Sequence, residues 1–324
     1  MRILIVKLSS MGDLFHALPA VHNLKVELDA QVDWVVQAEY VDLVKCFPDV
    51  DRVISFHRKD FFSHWTSFMA ELRREDYDMV IDLQGLLKSA VVTRLARGRK
   101  RIGPSFHREG SRLLYDTVAG VRNKDRHAVE ENLDVVRHLG LTVMKPEFRI
   151  RFPTRTVTEK RPRVALLPAS RWQTKNWPAS CFVDVGSRLQ KARDVSIFIL
   201  GGPDDVATCA EVERGLGRGA VNLAGLLSLV ETGGLLKEMD LLISNDSGPM
   251  HMAAAIGTPA LVIFGPTDPK RTGPYGDRHR IVSARLPCQP CFSRTCRRGN
   301  VPCLSGVTPE HVAEVALGML QEAE

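Results

Sequence analysis

The 324-residue chain has no apolar run long enough for a membrane-spanning helix; its longest runs are the size of a strand. Residues 3–6 are apolar, but they follow Arg2 directly and are closed at once by Lys7. The start therefore does not read as a secretory signal, and cytoplasmic residence is expected. Aromatic residues are few, 6% of the chain, and no recognised nucleic-acid module accompanies them, so nucleic acid is not an expected partner. Low-complexity segments are lacking, and there is no internal repeat beyond a likeness between two α/β halves. Cysteine is not spent on a disulfide framework. Cys46, Cys181 and Cys209 stand alone, and the other four of the seven crowd between residues 288 and 303.

What is present fits a folded, water-soluble chain. Its 44% hydrophobic and 25% charged residues are ordinary for a globular protein, and the length suffices for two hydrophobic cores. A net charge of +6, with a pI near 9.0, is spread over both halves and favours an acidic substrate or an anionic surface. Apolar strand-sized runs at 3–6, 32–36, 53–56 and 79–82 alternate with helical patterns at 14–24, 40–46, 65–75, 86–95 and 127–139. A stretch rich in Pro, Thr and basic residues, 146–162, has no helical period and marks a boundary. The alternation then restarts at 164–168 and continues through 196–200, 221–223, 241–243 and 260–264. A terminal amphipathic helix over 308–323 carries Thr308 as cap and Pro309 at its first position. This pattern predicts an α/β fold in two domains, 1–155 and 156–324.

The chemistry concentrates where strands run into helices. Asn245-Asp246-Ser247-Gly248-Pro249-Met250-His251 follows an apolar run and opens a helix closed by Gly257. Small capping residues, free N–H groups and the helix dipole make such a turn an anion site suited to a phosphate. Its bland alternative is a capped turn with no ligand, with His251 a satisfied core histidine. A neighbouring strand ends in Gly265-Pro266-Thr267-Asp268-Pro269, which places ligand-type residues on the same sheet edge. Lys175 is a cation held in the strand-to-helix loop 169–178. In the first half, Ser9, Ser10 and Gly12 occupy a strand–loop–helix unit, and Asp13 is either a helix-dipole partner or a functional carboxylate. Asp82-Leu83-Gln84-Gly85 forms a second such turn. The basic run from Arg94 to Arg112, with Arg97 and Arg101 at its heart, is either a solvated face or a surface for a polyanionic acceptor or lipid headgroups. The pattern Cys288-x2-Cys291-x4-Cys296-x6-Cys303 holds either a zinc or iron ion or four free thiols.

Taken in order, five motifs resemble those of the ADP-heptose lipopolysaccharide heptosyltransferases, the family-9 glycosyltransferases. They are Lys7-Leu8-Ser9-Ser10-Met11-Gly12-Asp13, Asp82-Leu83-Gln84-Gly85-Leu86-Leu87-Lys88-Ser89-Ala90, Lys175-Asn176-Trp177-Pro178, Asn245-Asp246-Ser247-Gly248-Pro249-Met250-His251 and Phe264-Gly265-Pro266-Thr267-Asp268-Pro269. They span nearly the whole chain, and the first two favour the heptosyltransferase I branch. The resemblance implies a GT-B fold, two Rossmann-like domains facing across a cleft, with the acceptor on the N-terminal domain and the nucleotide-sugar on the C-terminal one. In that architecture the last helix often packs back on the N-terminal domain. Two features depart from the enzyme I pattern: Ala169-Ser170 stands where two threonines are usual, and the cysteine segment matches other branches of the family.

The implied activity is inverting transfer of L-glycero-D-manno-heptose from ADP-heptose to the Kdo of the lipopolysaccharide inner core, with no cofactor required. Alternatives are a later core heptose or a protein as acceptor, or a non-catalytic nucleotide-binding module. Chemically, a carboxylate must take the acceptor proton and a cation must meet the charge on the leaving diphosphate. By resemblance Asp13 is the base and Lys175 the phosphate contact. Ser170, Asp246, Ser247, Gly248 and His251 fall at the donor, and Asp205, or Asp204 if the alignment slips, matches an acidic residue for the ribose. Lys7, Ser10, Gly12, Gln84, Arg97 and Arg101 are the expected acceptor contacts. A Kdo-lipid A type acceptor places the protein peripherally on the anionic inner face of the cytoplasmic membrane.

Overall fold

The computed structural model of the chain describes residues 1–217 and 219–322, in two units, Met1–Arg151 and Phe152–Glu324. The division falls inside the non-periodic stretch 146–162. The first unit runs β1 (Arg2–Val6), α1 (Met11–Glu27), β2 (Gln31–Gln37), α2 (Val41–Val44), β3 (Arg52–Phe56), α3 (Phe61–Leu72), β4 (Tyr77–Asp82), α4 (Leu87–Leu95), β5 (Gly98–Pro104), β6 (Thr117–Ala119), α5 (Ala128–Asn132) and α6 (Asp134–His138). Its strands form one parallel sheet in the order β3-β2-β1-β4-β5-β6.

The second unit runs β7 (Arg163–Leu167), α7 (Ala179–Ala192), β8 (Ser196–Ile199), α8 (Val206–Leu216), β9 (Ala220–Asn222), α9 (Leu229–Leu236), β10 (Leu241–Asn245), α10 (Gly248–Ile256), β11 (Ala260–Ile263), α11 (Pro269–Thr272), β12 (Arg280–Val282), α12 (Pro302–Ser305) and α13 (Pro309–Glu322). Its sheet, β12-β11-β10-β7-β8-β9, is also parallel throughout. Parallel strands covered by helices on both faces must be apolar along their whole length. Ile3, Leu4, Ile5 and Val6 of β1, and Leu241, Leu242 and Ile243 of β10, are accordingly fully buried. In each sheet the strand order reverses once, between β1 and β4 and between β7 and β10. At such a point the crossovers leave in opposite directions and open a crevice at the strands' carboxyl ends.

Three strands carry too little apolar signal to be read from the sequence. β5 contains the basic run Arg99, Lys100 and Arg101, and backbone pairing with β4 and β6 makes it a strand. Gly98 and Gly103 let Val80 and the Tyr115 ring lie where a Cβ would sit. β6 and β12 are three-residue edge strands. The stretch 127–139, read as one helix, is divided at Leu133 into α5 and α6.

α13 places Val312, Ala313, Ala316 and Leu320 in the core of the second unit, with Phe182, Val185 and Leu189 of α7. The expected end of that helix, Ala323, lies outside the described residues. No helix among the described residues is long and apolar enough to cross a membrane.

One histidine couples this unit's stability to acid. His279 Nδ1 accepts the Ala260 N–H at 3.2 Å, and burial, the largest cause, pushes its pKa down to about 4. The unfolded chain binds this proton near 6.5 and the folded chain only near 4, so between these values unfolding takes up a proton. The contribution is present above pH 6.5 and is lost as pH falls toward 4, on the order of 3 kcal/mol in all. Thermal unfolding followed across that window is expected to show a falling Tm for the wild-type chain, flattened in His279→Gln.

Candidate active site

All five motif segments end on the carboxyl edges of the two sheets. In the second unit, β7 runs into the loop 168–178, and Asn245 at the end of β10 ties that loop down. Its Oδ1 accepts the Trp177 N–H at 3.0 Å and its Nδ2 donates to the Pro168 carbonyl at 2.8 Å, so one fully buried side chain spans the switch point. Trp177 lies beneath, 1% exposed, with Nε1 donating to the Val307 carbonyl. The Ser170 N–H donates to Asn176 Oδ1 at 2.7 Å and the Thr174 hydroxyl donates to the Ser293 carbonyl at 2.9 Å. A loop fixed from below in this way can hold a cation without collapsing.

That cation is Lys175. Its Nζ lies 2.6 Å from Asp246 Oδ2, with the two side chains 17% and 5% exposed, and 4.8 Å from the centre of the Trp172 ring. The Arg294 guanidinium stands over the same ring, also at 4.8 Å. Asp246 Oδ2 further accepts the Thr267 hydroxyl at 2.5 Å. Ser247 caps α10 in extended conformation, and its buried Oγ has no hydrogen-bond partner among the described residues. Gly248 and Pro249 begin the helix, leaving the first N–H groups and the positive end of the dipole open to an anion.

His251 follows in the first turn of α10, 8% exposed and engaged in an interaction of its own. Asp205 lies in the short helical turn that follows β8, half-buried, and accepts the Gly202 N–H at 2.8 Å; Asp204 beside it is exposed. Ser170, Lys175, Asp205, Asp246, Ser247, Gly248 and His251 therefore share one edge of one sheet. Trp172, Arg294 and Thr267 join them. Thr267 was visible as a ligand-type strand end, whereas the Trp172 contacts depend on a loop path that no spacing reveals.

In the first unit the corresponding edge carries Ser10, Gly12, Asp13 and Gln84. Ser10 caps α1, and Asp13 Oδ2 accepts both the Ser10 N–H and the Ser10 hydroxyl at 2.9 Å, a capping box. Asp13 Oδ1 lies 3.9 Å from His16 Nδ1, and the side chain is 41% exposed. One carboxylate oxygen is thus held by Ser10, while the other lies beside the buried His16 ring. Gln84 Oε1 accepts the Ser9 N–H at 3.0 Å, joining the β1 and β4 turns. The Gln84 turn is built on Asp82, whose Oδ1 accepts the N–H groups of Gln84 and Gly85 at 2.7 and 2.9 Å and whose Oδ2 accepts the Tyr115 hydroxyl at 2.7 Å. Burial raises the Asp82 carboxyl, and these hydrogen bonds oppose it. Gly85 sits at φ +72°, and an added Cβ would lie 2.9 Å from Pro104 and 3.1 Å from the His107 backbone. Gly85→Ala is expected to cost about 2 kcal/mol or more, read as a lower Tm with impaired turnover.

Three groups of expected site residues are placed elsewhere than expected. Lys7 does not face outward: it is 4% exposed, its ammonium donates to the Leu83 carbonyl, and Phe106 lies 5.7 Å away. Burial lowers its pKa, against the pull of Asp13, Asp82 and Glu131. Its geometry is that of a support for the Gln84 turn. Arg97 precedes β5 and Arg101 turns its guanidinium back to the Ala96 carbonyl and Asp116, so neither reaches the carboxyl edge that carries Asp13. Of the four clustered cysteines, Cys288 and Cys291 are exposed, Cys296 is half-buried, and Cys303 belongs to the apolar core, where burial first and then the other three thiols raise its pKa. Among the described residues no three His, Cys, Asp or Glu side chains are placed to hold a metal. The segment is instead pinned by Gln289, which donates to the Gly265 carbonyl, and by the Phe292 N–H on the Pro266 carbonyl. Through these contacts it carries Arg294 to Trp172.

Two Rossmann-like units, one with a lysine, a carboxylate and an open helix N-terminus at its switch point, define a protein of the nucleotide-binding α/β class. The chain belongs to glycosyltransferase family 9, the heptosyltransferases: the family pattern matches residues 65–301. It is 29% identical to lipopolysaccharide heptosyltransferase 1 of Pseudomonas aeruginosa over 100% of this chain and 99% of that one. Its fold matches Escherichia coli heptosyltransferase WaaC with ADP at a TM-score of 0.82 and 27% identity, covering 98% of this chain and 100% of that one. WaaC with ADP-2-deoxy-2-fluoro heptose matches at 0.80 and 27%, covering 98% and 99%. The fold is accordingly of the GT-B class, and the protein is a glycosyltransferase.

Proposed function

We propose that the protein is heptosyltransferase I, moving L-glycero-D-manno-heptose from ADP-heptose to the Kdo of a lipid A-linked inner core at the anionic inner face of the cytoplasmic membrane. The observation that carries the donor half is the Lys175–Asp246 pair at the open N-terminus of α10. The relatives support it: one is a lipopolysaccharide heptosyltransferase 1, and WaaC is described with ADP and with an ADP-heptose analogue.

The chemistry is one in-line displacement. The acceptor hydroxyl oxygen bonds to the anomeric carbon of the heptose as the bond from that carbon to the diphosphate oxygen breaks, inverting the configuration. The hydroxyl proton passes to Oδ1 of Asp13, and the electron pair of the broken bond leaves on ADP. Negative charge grows on the leaving diphosphate, and Lys175 with the first N–H groups of α10 is fixed to meet it. Asp246 orients the lysine and, with Thr267, stays hydrogen-bonded throughout. Of the expected acceptor contacts, Ser10, Gly12 and Gln84 remain at the Asp13 edge.

The acceptor is tested by offering the enzyme a Kdo-lipid A acceptor beside the same core already carrying one heptose. Preferential heptosylation of the first supports heptosyltransferase I. Preference for the second assigns a later step, and transfer to neither points to a protein acceptor.

A further inference from the structure

One side of the first unit presents apolar side chains to solvent inside a rim of cations. Phe62, in the first turn of α3, is 92% exposed, and Leu113, on the short helical turn 111–114 packed against α4, is 88% exposed. Leu87, which opens α4, is 46% exposed. Electrostatic and hydrogen-bond contacts link these pieces. Lys88 on α4 feels the charge of Arg58 in the loop before α3, and the Leu87 N–H donates to Glu109 in the loop leading to Leu113. α3 and α4 cover the same face of the sheet, both packing on the cluster of Phe56, Phe68, Leu72 and Val92.

The rim is strongly basic. Arg58 and Lys59 precede Phe62, and Arg108 and Arg112 flank Leu113, all four exposed; Asp60 and Glu109 are the acids among them. Burial, the larger cause, and the charge of Arg58 lower the Lys88 pKa, and Glu109 opposes them only in part. Apolar side chains grouped on one side inside a polar rim mark an interaction surface, whereas the same side chains scattered singly would not. A second copy of the same face would set these cations against one another, whereas an anionic bilayer meets both the charge and the apolar tips.

We propose that this α3–α4 side is the membrane-docking face, with Phe62 and Leu113 entering the headgroup boundary and Arg58, Lys59, Lys88 and Arg112 meeting lipid phosphates. α3 and α4 both begin at the carboxyl edge of the sheet, the edge that carries Asp13 and Gln84. The inference rests on the lipid-anchored acceptor proposed above: docking here brings that edge to the bilayer surface from which the acceptor sugar projects.

The full chain, with neither donor nor acceptor, is sedimented with phosphatidylcholine vesicles containing about one-third phosphatidylglycerol and with phosphatidylcholine alone. Binding to the anionic vesicles, weakened by salt and reduced at least about tenfold both in Phe62→Ser/Leu113→Ser and in Arg58→Glu/Lys59→Glu, is the expected result. Absence of binding, equal binding to neutral vesicles, or variants that bind as tightly as wild type would overturn it. So would a wild-type dimer in light scattering that Phe62→Ser/Leu113→Ser dissolves, since a second copy would then cover the face. Turnover of a deacylated, water-soluble acceptor is read separately. It is expected to be unchanged in Phe62→Ser/Leu113→Ser, which shows that variant to be folded. Its absence in wild type counts against the proposed reaction and leaves the vesicle result standing.

Discussion

Asp13→Asn is expected to lower kcat for heptosyl transfer by about two to four orders of magnitude, with the KM for the nucleotide-sugar little changed. The amide matches the carboxylate in size but takes no proton from the acceptor hydroxyl. Asp13 also serves the helix, because its Oδ2 accepts from the Ser10 N–H and hydroxyl. Loss of that capping charge costs about 1 kcal/mol of stability, far less than the catalytic effect. Ser10→Ala separates the two roles. It weakens the same cap by removing the hydroxyl, leaves the residue-10 N–H on Asp13 Oδ2 and keeps the base, so it should cost some stability while its kcat falls much less. ADP release and a thermal melt on the three proteins check this. A kcat for Asp13→Asn within a few-fold of wild type would show that the base is elsewhere.

Lys175→Met should cost about 10²- to 10³-fold in kcat/KM, because the cation facing the leaving diphosphate is removed. It should also destabilise the second unit. Asp246 is 5% exposed, and without the ammonium its charge keeps the Thr267 hydroxyl as its remaining side-chain partner. An unpaired charge of this kind costs about 3 kcal/mol. The double variant Lys175→Met/Asp246→Asn removes the unpaired charge as well, so it should regain most of the stability and none of the turnover. Melting and turnover measured on both proteins separate the structural half of the pair from the chemical half. Recovery of turnover in the double variant would mean that Lys175 acts only by holding Asp246.

How much of this was legible depended on what each residue needed from the rest of the chain. The central strands were plain, because β1, β4, β7 and β10 are buried on both faces and must be apolar. The turns after them were plain for the same reason: polar and glycine residues stand out where such a run stops. Asp13, Lys175, Asp246, Ser247 and Gly248 all sit in the loop or first helical turn that follows a central strand, and the sequence shows them in that position. β5 was hidden because its charged side chains say surface while its backbone pairs on both sides. Lys7 misled because a lysine after a buried strand looks like a ligand contact, and only the third dimension shows its ammonium on the Leu83 carbonyl. Arg97 and Arg101 misled in a related way: their charge suits an acidic acceptor, but strand direction places them toward the opposite edge. The approach of Trp172, Lys175 and Arg294 joins segments more than a hundred residues apart, beyond any local pattern.

The most direct measurement is incubation of the purified protein with ADP-heptose and a Kdo-lipid A acceptor, with ADP, acceptor mass and the configuration of the new linkage all recorded. The expected result is one heptose added per acceptor with one ADP released, inverted at the anomeric carbon, and abolished in Asp13→Asn. Retained configuration, or ADP-heptose that binds without passing its sugar to any acceptor, would contradict it.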